Sequence, residues 1–218
     1  MLVNKLRDPV SGLTHFVGML LSIAALVLLI VFSAIGTTPW HVVSFSIFGT
    51  ALILLYTASS LYHMLPLSEK GITIFRKIDH IMIFVLIAGS YTPICLVPIR
   101  GAWGWSLFGI IWAITVAGVF MKLFWLQAPR WLYTSIYLLM GWIIAIAFVP
   151  LIKALPMAGV WWLVAGGLFY SVGAVIYAIK KPNFAKYFGF HEIFHLFIMA
   201  GSFCHFWLMF RYIMHVRL

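Results

Sequence analysis

Two histidines four residues apart, His191 and His195, are the first residues in this chain with chemistry in their spacing. On a helix, four steps turn the chain by about 400°, so both rings leave one face, separated by roughly 6 Å of rise. That arrangement can chelate a metal, although the same spacing arises by chance, and interfacial histidines often only bond backbone or head groups. His63 would add a third imidazole. Three neutral nitrogen ligands with one position left open fit catalytic zinc, whereas a closed set of four fits structural zinc. The acids are Asp8, Glu69, Asp79 and Glu192, and nothing else. An ionisable group near or inside hydrocarbon is costly, so its presence points to function by default.

What must position these residues is a set of apolar helices. Of 218 residues, 65% are hydrophobic and 8% charged, against about a quarter charged in a soluble domain. Lipid is therefore the solvent. A bilayer core takes roughly 20 apolar residues per helix, so the fold expected is an all-α integral membrane bundle of seven transmembrane helices in a single domain, 1–218. The spans are read as Leu13 to Ile35, Val42 to His63, Asp79 to Val97, Trp105 to Phe124, Leu132 to Leu151, Val160 to Ile179 and His191 to Phe210. The first is longer than the 7–15 apolar residues of a typical signal peptide and reads as an uncleaved helix. Small residues at helical spacing (Gly109, Ala113 and Ala117; Gly167, Ser171 and Gly173) are expected to serve helix packing. Cys95 and Cys204 lie within spans and carry no disulfide framework.

The spans bring the chemical residues to one depth. His63 ends the second, Asp79 opens the third, His191 and His195 open the seventh, and Asp8 and His15 stand at the start of the first. His41 and His215 fall at the opposite boundary and are expected to face water there. His205, nearly three turns above His195, is expected to be packed or bonded, and His80 to point differently on the helix from its neighbour Asp79. With the N-terminus inside, ten basic residues (Lys5, Arg7, Lys70, Arg76, Lys77, Lys122, Arg130, Lys180, Lys181, Lys186) face the cytoplasm and four (Arg100, Lys153, Arg211, Arg217) face outwards. The positive-inside rule then puts the N-terminus in the cytoplasm, the C-terminus outside and the histidines at the inner leaflet. The net charge of +10 is scattered between apolar runs, which fits head groups and orientation and argues against nucleic acid.

Ser59-Ser60-Leu61-Tyr62-His63 resembles the Ser-x-x-x-His motif of the progestin and adiponectin receptor superfamily. Lys77-Ile78-Asp79-His80, Ile87-Ala88-Gly89-Ser90-Tyr91-Thr92-Pro93, Tyr137-Leu138-Leu139-Met140-Gly141-Trp142 and His191-Glu192-Ile193-Phe194-His195 resemble its bacterial branch, the haemolysin III proteins. The resemblance covers nearly the whole chain. It departs near the N-terminus, where the acidic, Asn and His pattern stands as Asp8, Ser11 and His15, leaving the roles of Asp8 and Ser11 open. The resemblance implies Zn2+ held by His63, His191 and His195, with Asp79 reaching it through a water. It makes Ser59 a hydroxyl that supports the ligands or faces the substrate; a hydroxyl bonded only to its own helix is the plainer alternative. The superfamily is similar to alkaline ceramidases, which implies hydrolysis of lipid amides or esters, a membrane lipid or fatty-acid-containing ligand, and the bacterial inner membrane as location. Three rivals stand beside this: a receptor-like regulator of membrane state with structural zinc, a membrane-permeabilising haemolysin as the family name suggests, and an intramembrane metalloprotease. The last follows from His191-Glu192-x-x-His195, which satisfies the H-E-x-x-H pattern with Glu192 as base.

Overall fold

Helices in lipid turn the soluble pattern inside out. In α1 (Pro9–Gly36) the buried residues are Ser11, Gly12, His15, Gly18, Ser22, Leu29 and Ser33, a mostly small and polar stripe, while Leu13, Leu21 and Ile35 are exposed. No solvophobic force drives two apolar helices together in a bilayer, so association rests on close packing and hydrogen bonds between small and polar residues. α2 (Pro39–Met64) lies against that stripe: a side chain on Gly18 would collide with the Tyr56 ring, and one on Gly12 with Met64. A computed structural model describes residues 7–185 and 188–217; Lys5 and Lys186, counted above for orientation, lie outside them.

α3 (Glu69–Leu96) is the enclosed helix, with every residue from Ala88 to Val97 buried. Gly89 lets it approach α2, since a Cβ there would stand 2.7 Å from that of Ala51. It starts ten residues earlier than the apolar pattern predicts. The Ser68 hydroxyl accepts the Gly71 N–H at 3.3 Å, and Glu69 occupies the first turn, an N-terminus that holds a polar turn in helix ahead of the hydrocarbon. Gly101, at φ 130°, makes the turn into α4 (Ala102–Phe124). The small stripe Gly109, Ala113 and Ala117 is exposed, contrary to expectation. α4 packs instead through Gly104, Leu107, Ile111, Thr115, Gly118 and Lys122, because Gly104 meets the Cys95 carbonyl and Gly118 the Phe84 ring with no room for a Cβ.

The fifth expected span is broken. α5 (Arg130–Trp142) passes through a 3₁₀ turn at Ile143–Ala147 into α6 (Phe148–Ala154). Pro150 has no N–H to give the Ile146 carbonyl, which stops the α-helical ladder. Tyr91 of α3 inserts its hydroxyl at the gap, accepting the Ile144 N–H at 2.8 Å and lying 2.9 and 2.8 Å from the Met140 and Gly141 carbonyls. α7 (Met157–Ile179) and α8 (Phe190–Arg211) complete the bundle, with a short 3₁₀ turn at Ile213–His215. The chain is a multi-pass membrane protein: among the described residues six stretches are long and apolar enough to cross a bilayer, α5 and α6 counting as one, and α3, 28 residues long, is the remaining long helix there. No strand is present among the described residues.

Candidate metal centre

His63 sits in the last turn of α2, and His191 and His195 in the first two turns of α8. The three offer ligand atoms that all lie within 4.8 Å of one another. Two nitrogens bound at about 2.0–2.1 Å to one tetrahedral zinc stand roughly 3.3 Å apart; His63 Nε2 and His191 Nε2 are separated by 3.1 Å. The donor set is therefore one that suits zinc.

Each of two rings is oriented from behind. His63 Nδ1 donates to Asp8 Oδ2 at 3.1 Å, which turns Nε2 towards His191. That bond, ahead of the Arg7 guanidinium on the same oxygen, holds the Asp8 carboxyl down to about 2, against the opposing pull of partial burial. His195 Nδ1 donates to the Ser11 carbonyl at 3.2 Å, with the Thr14 hydroxyl at 3.4 Å, and so also presents Nε2. Partners on the outer nitrogen fix tautomer and ring direction, as they do for metal-binding histidines generally. His15 stacks on His195 with centroids 3.5 Å apart, fully enclosed, and neither of its nitrogens has a protein partner.

The roles left open at Asp8 and Ser11 thus acquire an account. Asp8 orients His63, and Ser11 supplies a carbonyl to His195 and donates its hydroxyl to Glu192 Oε1 at 2.5 Å. Glu192 Oε2 accepts the Gly189 N–H at 2.8 Å, closing the first turn of α8. Both oxygens of Glu192 are taken by structure, which speaks against its use as the base of an H-E-x-x-H site. The contacts of Ser11 with Glu192 and His195 join residues 181 and 184 apart in sequence and carry no local signature.

Asp79 and Ser59 face each other across the α2–α3 seam, and both border an apolar cavity of about 370 Å³. The cavity runs from His191 and His195 to Leu151 and Val160 near the far end of the bundle. A second, polar chamber of about 610 Å³ opens on the other side of the histidines. Asp79, His80, Tyr133, Tyr177 and His191 border both spaces, so the two meet at the cluster. His80 borders both spaces as Asp79 does, but its ring lies over Tyr133, centroids 5.5 Å apart, whereas Asp79 turns to Ser59.

Two expectations are corrected. His41 is buried, not water-facing: it bridges the Thr38 hydroxyl at 2.9 Å and the Ile213 carbonyl at 3.2 Å, tying α2 to the end of the chain. Lys122, counted among the interfacial charges, is fully enclosed, its Nζ 3.4 Å from the Tyr133 ring centroid. His205 is packed as expected, against Gly166 and Tyr170, and His215 is exposed.

A profile of the family described as haemolysin-III related matches residues 3–206. The chain belongs to that family. Among similar haemolysin III proteins, the hemolysin-3 homolog of Bacillus subtilis (strain 168) is 42% identical over 196 residues, which is 90% of this chain and 89% of the relative. Hemolysin-3 of Bacillus cereus is 38% identical over 198 residues, 90% of this chain and 87% of its own length. More distantly, the human monocyte to macrophage differentiation factor is 23% identical over 181 residues, 80% and 72% of the two chains. That reach is consistent with the progestin and adiponectin receptor superfamily to which the motifs point.

Proposed function

We propose that this haemolysin III protein is a zinc-dependent hydrolase of lipid amides or esters, working at the inner leaflet of a bacterial plasma membrane with its N-terminus in the cytoplasm. The observation that carries this reading is the convergence of His63, His191 and His195, the last two of which border an apolar cavity together with Asp79. Zinc held there would act as a Lewis acid and bring the pKa of a water towards about 7. The residues of the chain do the remainder. Asp8 and the Ser11 carbonyl hold two of the rings in one tautomer. The cavity takes the acyl chain and keeps bulk water from the scissile carbonyl. An Asp79 carboxylate oxygen accepts the proton of the attacking water and returns it to the leaving nitrogen or oxygen, and the Ser59 hydroxyl donates to the substrate. This exchange is general acid–base catalysis, worth about 10²–10⁴-fold in rate.

The test is fatty-acid release by purified protein from a panel of lipid amides and esters of one chain length. Turnover that requires zinc and is lost in His63→Ala supports the proposal; no release from any member at saturating zinc, with the metal bound, sinks it. That second outcome favours the receptor-like reading, in which an enclosed apolar cavity beside a metal senses an acyl chain without cleaving it. The name hemolysin-3 attaches to the Bacillus cereus relative; lysis would here be a consequence of altered lipids and not of a pore.

A further inference from the structure

The polar chamber beside the histidines holds guanidinium groups that the chemistry above does not use. Arg76 and Arg130 border it, as does Tyr133, whose ring covers the enclosed ammonium of Lys122. Among the described residues, none of these three cations has a carboxylate within ion-pair distance. The acids of the chain are otherwise placed. Asp8 is held by Arg7 and His63, Glu192 by Ser11 and the Gly189 amide, and Glu69 is exposed at the start of α3. Asp8, Asp79 and Glu192 all border the chamber, but Asp8 and Glu192 are held as described, which leaves Asp79 as the acid facing the two guanidiniums. Arg130 spends one N–H on the Tyr177 carbonyl at 3.0 Å, with its guanidinium over that ring. The Nε of Arg76 is buried without a partner, and an orphaned donor of this kind costs free energy until something accepts from it. A guanidinium presents a planar fork that suits carboxylate and phosphate oxygens.

We infer that the chamber receives the anionic head group of an acyl amphiphile, with the acyl chain lying in the apolar cavity and the scissile amide or ester at the histidines where the two spaces meet. The inference rests on the hydrolase reading for the scissile bond, but its binding claim stands apart from turnover. It narrows the substrate class: a head group that bears a carboxylate or phosphate can accept from Arg76 and Arg130, whereas a ceramide-type leaving group, which becomes a lone ammonium, offers the orphaned Arg76 donor no acceptor.

Two probes that differ by one charge test this: N-dodecanoylglycine and the neutral N-dodecanoylglycinamide. Binding to the full-length protein in nonionic detergent is measured by calorimetry, with and without zinc. The acid is expected to bind at least tenfold more tightly than the amide in both metal states. Arg76→Gln should cut that advantage below threefold while leaving the amide unchanged, and Arg76→Lys should restore part of it. Equal binding of the two probes, or an advantage that needs zinc but not Arg76, overturns the inference. So does inorganic phosphate competing as well as the acid, since the ligand would then be a free anion. Should Arg76→Gln fail to fold, the wild-type advantage must still shrink severalfold as salt rises from about 0.05 to 0.5 M, because screening weakens partly exposed pairs; no salt dependence is the overturning result. A protein that binds the acid through Arg76 yet cleaves nothing keeps this inference and loses the hydrolase reading.

Discussion

His63 is constrained at both ring nitrogens, by Asp8 on one side and by its approach to His191 on the other. Purified protein is expected to hold about one zinc per chain by elemental analysis, and Ala at His63, His191 or His195 to remove most of it. His205→Ala and His41→Ala should leave the zinc per folded chain unchanged. Full occupancy after His63→Ala would pass the third position to His15, which already stacks on His195. Asp8→Asn keeps a side chain of the same shape but weakens the hold on the ring. Chelator competition should then show a loss of about 10–100-fold in affinity, the usual consequence of removing such an outer partner. The two central acids separate in a different assay. Asp79→Asn should keep much of the zinc and lose two or more orders of magnitude of hydrolysis, the scale of a general base. Glu192→Gln, altering a group that caps α8, should lose less than tenfold in the protein that accumulates. The reverse pattern would restore the metalloprotease reading.

At the scale of the element, the break between α5 and α6 is held by one hydroxyl. Tyr91→Phe leaves the buried Ile144 N–H without its acceptor, a loss of about 1–3 kcal/mol, and should lower the melting temperature in detergent. Adding Pro150→Ala lets the helix reclaim that donor and should recover part of the loss; a double variant no more stable than Tyr91→Phe alone would show that the break has another cause. This element also marks where sequence reading stops. Apolar length located the span, but the turn at Ile143–Ala147 depends on a tyrosine about fifty residues upstream. The small stripe of α4 misled for a related reason. Periodicity says that a helix has two candidate faces, and only the partners Cys95 and Phe84 decide that Gly104 and Gly118 lie on the packed one.

For the whole molecule, the charge count makes a prediction about sidedness. A reporter inserted between Leu65 and Ser68 should read out in the cytoplasm, and one fused after Leu218 on the other side of the membrane. The opposite result for both would move the histidines to the outer leaflet and remove the inner-leaflet part of the proposal. The common depth of His63, Asp79, His191 and His195 was legible because topology turns chain order into depth. The supports at Asp8 and Ser11, and the enclosure of Lys122, were not: each depends on lateral neighbours, which depth does not specify.

The cluster draws on the first helix turns and the last helix of the chain, with Asp8 and Ser11 at one end and His191 and His195 at the other. Synthesis proceeds from the N-terminus, so the earlier helices leave the ribosome before two of the three ligands exist. His63 must wait, paired with Asp8, until α8 arrives. On the proposed reading, metal uptake is the last event of biogenesis, and a chain stalled or cleaved before Phe190 would be an inserted membrane protein lacking two of the three ligands. Zinc content would then double as a completeness check on the finished polypeptide.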